Sequence, residues 1–310
     1  MQQTKRSRHR HMTSFQVISL GFLSVILLGS LLLMLPIATK SGQCTSFLDA
    51  LFTSTSAVCV TGLVINDTAT YWSLFGQGII LLLIQIGGMG IITIAIAISV
   101  VSGRKIGLMQ RSTMQEAISA PTVGGIVRRT QFIIRTTILI EIIGAALLAP
   151  VFCRDFGFWK GIWYSLFHSI SAFCNAGFDL IGIRTPFSSL TSYSVQPIVN
   201  LVIMALIVAG GIGFLTWEDI KIHKWHFKKY KMQSKVIFMV TGLLIFLPAL
   251  YFFCFEFSNV PLTERVWVSL FQSVTPRTAG FNTADLTLLS EVGQMLIIIL
   301  MLIGGSPGST

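Results

Sequence analysis

The chain has 310 residues, of which 53% are hydrophobic and only 11% charged, with a mean hydropathy of +0.77. A soluble domain of this size carries far more surface charge, so the composition excludes one and implies a polytopic membrane protein. The formal net charge of +10 would suit a nucleic-acid binder, but where the charges fall argues for a different cause.

Residues 1–12 form a basic tail with Lys5, Arg6, Arg8 and Arg10. The first apolar run, residues 14–35, is long enough to cross a hydrocarbon core of about 30 Å. Residues 46–58 are apolar but too short to cross, and residues 72–101 make a second long run. A polar linker over 102–129 follows, with Arg104, Lys105, Arg111, Arg128 and Arg129. The order then repeats: a span over 130–152, a short segment over 159–173 and a span over 197–217. A second basic linker, 218–235, carries Lys221, Lys224, Lys228, Lys229, Lys231 and Lys235. The third set is 236–255, 263–275 and 286–303. Three units result, over 13–101, 130–217 and 236–310, the last ending in an interrupted span.

The tail and the two linkers hold 15 of the 22 basic residues and, of the acids, only Glu116, Glu218 and Asp219. That bias places all three on the cytoplasmic side and accounts for the charge without nucleic acid. For both linkers to share a side, the short segments must dip in and return, as apolar stretches of 10–14 residues between spans do. Non-helical backbone at membrane depth is tolerated only in protein or beside a water-filled path. The units therefore need to assemble around a shared axis.

Three stretches at the ends of the short segments share a plan: "TSTSAVCVTGL", "HSISAFCNAGF" and "FQSVTPRTAGF". Each is built on a Phe (Phe52, Phe167, Phe271), with a Ser two residues on, a hydroxyl residue two further, and a Gly nine or ten after the Phe. A helix aiming its C-terminus at the membrane centre favours a cation there. The extended residues beyond it can offer carbonyls in place of a hydration shell. The candidate ion-binding residues are Val60, Thr61 and Gly62; Asn175, Ala176 and Gly177; and Thr278, Ala279 and Gly280. One Gly after a helix is commonly just a cap, whereas three at matching positions are not. Arg277 is expected to brace its loop from behind through a carboxylate or carbonyls. Asp67, Asp179 and Asp285 follow the glycines on the outer side. Arg135 and Glu141 lie within one span, six residues apart, so each is expected to contact neighbouring spans.

The second spans carry "QIGGMG", "VAGGIG" and "LIGGSPG". Close helix packing is the expectation for Gly87, Gly88, Gly210 and Gly211. The third copy, Gly304-Gly305-Ser306-Pro307-Gly308, cannot sustain a straight helix. The five cysteines form no C-x-x-C or Cys/His cluster, so zinc and iron–sulfur sites are unsupported. No paired Asp, H-E-x-x-H or Ser–His arrangement marks an intramembrane enzyme. His168 has Thr53 and Gln272 as counterparts, which reads as a structural polar position. A broken-helix secondary transporter for another small solute or cation is the alternative, but it would use inverted repeats and these units run parallel.

With "TSAVCVTGL", "SAFCNAGF", "TPRTAGF", the paired glycines and "GGSPGST" together, the sequence resembles the Trk, Ktr and HKT superfamily of potassium transporters over residues 13–310. It is most similar to the Ktr-type membrane subunit, since only a short tail precedes the first span. The resemblance implies an all-α membrane fold of span–re-entrant loop–span units around a pseudo-fourfold pore. It implies potassium, with sodium dependence left open, as the ion at the filter residues, Gly62 favouring potassium. It also implies that Gly304, Gly305, Ser306, Pro307 and Gly308 begin a gating loop below the filter. Further implications are a homodimer in the plasma membrane on a cytosolic ring of nucleotide-binding subunits, and no cofactor in the chain itself. Against four expected units only three are counted, so the chain is expected to be a C-terminally truncated form.

Overall fold

The computed structural model describes residues 13–91, 93, 94, 115, 125–183, 185–306 and 309. The tail over 1–12, most of the 102–129 linker, Pro307 and Gly308 lie outside the described residues.

The described chain is helical, and its helices follow the repeat. Unit one comprises α1 (Ser14–Leu33), α2 (Phe47–Val58) and α3 (Leu74–Met89). Unit two comprises α4 (Ile126–Phe156), α5 (Phe158–Phe173), α6 (Pro197–Gly211) and α7 (Phe214–His223). Unit three comprises α8 (Met232–Tyr251), α9 (Leu262–Val274) and α10 (Glu291–Ile303). Local chemistry sets several boundaries. Thr13 and Gln16 close a reciprocal cap at the start of α1, satisfying donors that the first turn leaves open. Ser46, Ser73 and Ser290 cap α2, α3 and α10 by accepting from Asp49, Gly76 and Gly293 N–H, which fixes the entry point of each.

Among the described residues, three helical stretches are long and apolar enough to cross a membrane: Phe15–Leu33, Val127–Phe156 and Met232–Glu256. Their outward faces carry exposed Leu23, Leu27, Leu31, Leu139, Ile143, Phe246 and Leu250. Such a continuous apolar surface belongs against lipid. The short helices α2, α5 and α9 sit inside, where Ala57, Phe167, Phe173 and Phe271 are buried. The last turns of α8 widen into a π-helix, Phe252–Glu256, beyond Pro248. Arg265 closes that end: its Nε donates to Phe253 O at 2.5 Å, and its guanidinium carbon lies 4.4 Å from the Phe253 ring centroid.

The second spans depart from expectation. An uninterrupted span was expected over 197–217, but α6 and α7 are bent by 97° with Gly213 at φ 83° between them. The expected 72–101 run ends its first helix at Met89, where Gly90 takes φ 79°. In the third copy Gly304, at φ 62°, ends α10. Thus each Gly-rich stretch breaks its span, since a Gly reaches positive φ at low cost. For Gly87 and Gly88 the expected close packing is present, against the inner helices. A Cβ on Gly87 would lie 2.1 Å from Val58 O, and one on Gly88 would lie 2.6 Å from Cys174 Sγ. They make room for the ends of α2 and α5.

Beyond the break, α7 makes helical part of the segment expected as a linker over 218–235. Its Asp219 is fully buried, with Oδ2 accepting from Lys231 N–H at 3.0 Å and Ser234 Oγ at 2.6 Å. This carboxylate joins α7 to the start of α8.

Candidate ion-conduction site

Each inner helix ends in a loop held by its own hydroxyl residue. Thr61 N–H donates to Ser56 O at 2.9 Å, Ala176 N–H to Ser171 O at 2.8 Å, and Ala279 N–H to Thr275 O at 3.0 Å. The third bond spans one residue fewer, which absorbs the shorter Phe-to-Gly spacing. Ser171 Oγ and Thr275 Oγ1 reach across their loops to Phe178 O at 2.7 Å and Phe281 O at 2.5 Å. In loop one, Thr61 Oγ1 meets Ser56 Oγ at 3.1 Å instead.

The backbone conformation repeats as well. Val60 and Gly62 have φ 56° and 74°, Asn175 and Gly177 55° and 71°, Thr278 and Gly280 76° and 78°. The residue between each pair keeps negative φ. Each loop thus alternates the sign of φ, unlike a regular strand, whose residues all keep negative φ. Three non-Gly residues in the left-handed region are costly. Their recurrence at one position shows that the loop hydrogen bonds hold that geometry.

The loops also come together. A Cβ on Gly62 would stand 2.6 Å from Ala176 O and 3.3 Å from Gly177 Cα. One on Gly177 would stand 2.7 Å from Ala279 O and 3.2 Å from Gly280 Cα. Loop one therefore abuts loop two, and loop two abuts loop three, with backbone against backbone. A cavity of about 210 Å³ opens beside Thr61, Gln272, Thr278 and Gly280. All nine candidate ion-binding residues lie on this arc. At the end of α10, Gly304 approaches Thr278, with a Cβ there 3.5 Å from the Thr278 methyl. Ser306 N–H and Oγ both donate to Gly211 O, at 3.0 and 2.9 Å. Of the five candidate gate residues, Gly305 and Ser306 are thus brought to the end of α6 and Gly304 to Thr278; Pro307 and Gly308 lie outside the described residues.

Other expectations resolve individually. Arg277 is buried behind loop three, but its Nη2 donates to the Thr241 hydroxyl at 3.2 Å, not to the expected carboxylate or carbonyl. Glu141 does contact another span: Gln85 Nε2 donates to its two oxygens at 2.9 and 3.2 Å. His168 is structural: Nδ1 donates to Tyr164 O at 2.7 Å and Nε2 accepts from Leu180 N–H at 3.3 Å. The outer acids hold turns. Asp67 accepts from Thr70 and, at 3.1 Å, from Phe187 N–H of unit two. Asp179 accepts from Ile181 N–H and Asp285 from Thr287.

Sequence reasoning missed how the inner helices are strapped to the spans before them. Ser54 Oγ donates to Ile26 O and Ser169 Oγ to Glu141 O, both at 2.7 Å. Gly29 and Gly144 face these hydroxyls; a Cβ on either would lie 2.5 Å from Ser54 Oγ or Ser169 Oγ respectively. The signal was present, since Gly29 and Gly144 each fall 25 residues before the Ser they face. Helix α5 is further tied to α3 of unit one by Trp163 Nε1 donating to Gln77 Oε1 at 2.9 Å.

Comparison with known proteins agrees with this architecture. The family model described as TrkH, cation transport protein, matches residues 1–310. The potassium/sodium uptake protein NtpJ of Enterococcus hirae is 42% identical over 311 residues, covering 99% of this chain and 67% of that protein. The Ktr system potassium uptake protein B of Bacillus subtilis is 40% identical over 316 residues, covering 100% of this chain and 69% of that protein. The crystal structure of the potassium transporter TrkH from Vibrio parahaemolyticus superposes with a TM-score of 0.70 at 21% identity, over 99% of this chain and 60% of that one; at that identity the likeness speaks to fold. The chain thus spans about two-thirds of the length of these curated relatives. Three helix–loop–helix units with converging glycine loops, matched end to end by one family model, make this chain a member of the TrkH cation transport protein family.

Proposed function

We propose that the chain forms the ion path of a potassium-uptake system of the Ktr type, with the carbonyls of residues 60–62, 175–177 and 278–280 as its selectivity filter. The observation that carries this reading is the backbone contact of Gly62 with Ala176 and Gly177, and of Gly177 with Ala279 and Gly280, in one repeated conformation. Carbonyls of such loops can stand in for the hydration shell of a cation, and the C-termini of α2, α5 and α9 add partial negative charge. The relatives named for potassium and for potassium/sodium uptake support potassium as the ion and leave sodium as a companion. Residues 304–308 act as the gate beneath. The units over 13–101, 130–217 and 236–310 are the pore-forming parts. The tail and both linkers face the cytoplasm of a plasma-membrane protein, on the positive-inside bias. There, a homodimer would meet a ring of nucleotide-binding regulatory subunits, a partnership that the Ktr system naming of relatives supports.

The test is rubidium uptake and potassium-limited growth in cells lacking their own potassium uptake. The cells express this chain, alone and joined to the portion of the Enterococcus hirae relative that it does not match. Uptake by either form that disappears in Gly177→Asp is the expected result, because any side chain there meets Ala279 O and strains a φ of 71°. Gly78→Ala, where a Cβ meets nothing within 4 Å, serves as the control and keeps full uptake. Undiminished rubidium uptake in Gly177→Asp would overturn the filter assignment.

A further inference from the structure

We infer that the cleft between α4 and α7 binds an anionic phospholipid, its phosphate at the basic rim and its acyl chains along α4. The 31 residues of α4 span about 46 Å at 1.5 Å per residue. This exceeds a hydrocarbon core of about 30 Å, so its first turns stand at headgroup level. Helix α7, turned 97° from α6, faces those turns, and a cavity of about 880 Å³ lies between them.

The cavity holds far more positive than negative charge. Among the described residues, Arg128, Arg129, Arg135 and Lys221 line it against a single carboxylate, Glu218, and that group is already engaged by Arg129 Nε at 3.1 Å. Neither Arg128 nor Arg135 has an ion-pair partner among the described residues, and Lys221 Nζ rests 4.4 Å from the Phe132 ring centroid. Two polar atoms of these lining residues, Arg129 Nη1 and Glu218 Oε2, are buried without hydrogen-bond partners among the described residues. A buried polar group left unpaired is costly. The first is a donor, which a phosphate oxygen satisfies; the second is an acceptor, which a headgroup hydroxyl satisfies. Phosphatidylglycerol presents both.

The sequence along α4 matches the polarity of a lipid. Arg128, Phe132, Arg135 and Leu139 fall at i, i+4, i+7 and i+11 on one helix face, all lining the cavity. Leu139 is exposed, and the exposed Ile142 and Ile143 continue from it into the bilayer-facing surface. A basic head leading into an apolar track suits a lipid; a free anion or an acidic protein surface has no use for the track. Arg and Lys near a membrane surface each favour anionic lipid.

The experiment places the full chain in nanodiscs of phosphatidylcholine with and without phosphatidylglycerol, and counts retained lipid by native mass spectrometry after release. Wild type is expected to retain phosphatidylglycerol preferentially. R128Q/R135Q should weaken that preference about 25-fold, at about fivefold per removed charge. R128K/R135K keeps both charges and restores retention, which separates lost binding from lost folding. Arg154→Gln, at the opposite end of α4, leaves it unchanged. Retention unaffected in R128Q/R135Q overturns the proposal. So does displacement of the lipid by inorganic phosphate or glycerol phosphate, which would mark a soluble-anion site. Loss of regulatory-subunit capture with lipid retention intact would mark a protein-docking surface instead. None of these readouts depends on transport, so the filter proposal stands or falls separately.

Discussion

Asp179 shows how a single outer side chain responds to its surroundings. Burial raises its carboxyl to about 6, the Ile181 N–H opposes the shift, and Asp67 nearby adds to it. A carboxyl whose folded pKa lies above its unfolded value near 4 favours the protonated native state. Its contribution is thus most favourable in acid and is lost as pH rises from about 4 through about 6. Asp179→Asn keeps an acceptor for Ile181 N–H but removes the charge. The expected outcome is a gain of up to about 3 kcal/mol near neutral pH, and a flatter dependence of the thermal unfolding midpoint on pH across that window. An unchanged pH profile would assign the dependence to another group. Asp285 behaves oppositely, since hydrogen bonds from the Thr287 hydroxyl and N–H lower its pKa. Both acids could be named from sequence as outer-loop residues. Their different chemistry could not, because it depends on what folds over them.

Among the elements, the joint between an inner helix and its preceding span is the most regular device. Ser169→Ala removes the bond to Glu141 O and should cost about 1 kcal/mol. Gly144→Ala presses a Cβ onto Ser169 Oγ and the Leu206 methyls, with an expected cost of about 1–3 kcal/mol. Because the two residues touch, Gly144→Ala should be milder in the Ser169→Ala background than alone. Thermal unfolding of the four proteins in detergent tests this, and strict additivity would place the strain elsewhere. Apolar run lengths located the short helices closely: expected segments 46–58, 159–173 and 263–275 became Phe47–Val58, Phe158–Phe173 and Leu262–Val274. The breaks in the first two Gly-rich spans were not foreseen. Hydropathy reads a glycine pair as part of an apolar run, while the positive φ of Gly90 and Gly213 arises only once the chain packs around the loops.

At the scale of the whole molecule, unit two is the keystone, with loops one and three on either side of loop two and the end of unit three lodged at Gly211. Ser306→Ala deletes the Oγ bond to Gly211 O but leaves the backbone one. If residues 304–308 form the gate, the loss of about 1 kcal/mol shifts its population about fivefold toward release. Rubidium uptake at saturating ion should then rise with its half-saturation unchanged; an unaltered rate would show that this contact does not hold the gate. The membrane class, the threefold repeat, the inner helices and the three glycine loops that follow them were all legible in the sequence. They follow from composition, run length and recurring spacing, which are local properties of the chain. The adjacency of the three loops, the turning of α7 and the basic cleft beside α4 were decided only by tertiary structure. Each depends on contacts between residues far apart in sequence, such as Gly62 with Ala176 or Arg129 with Glu218, and no local pattern encodes which distant partner a side chain will meet.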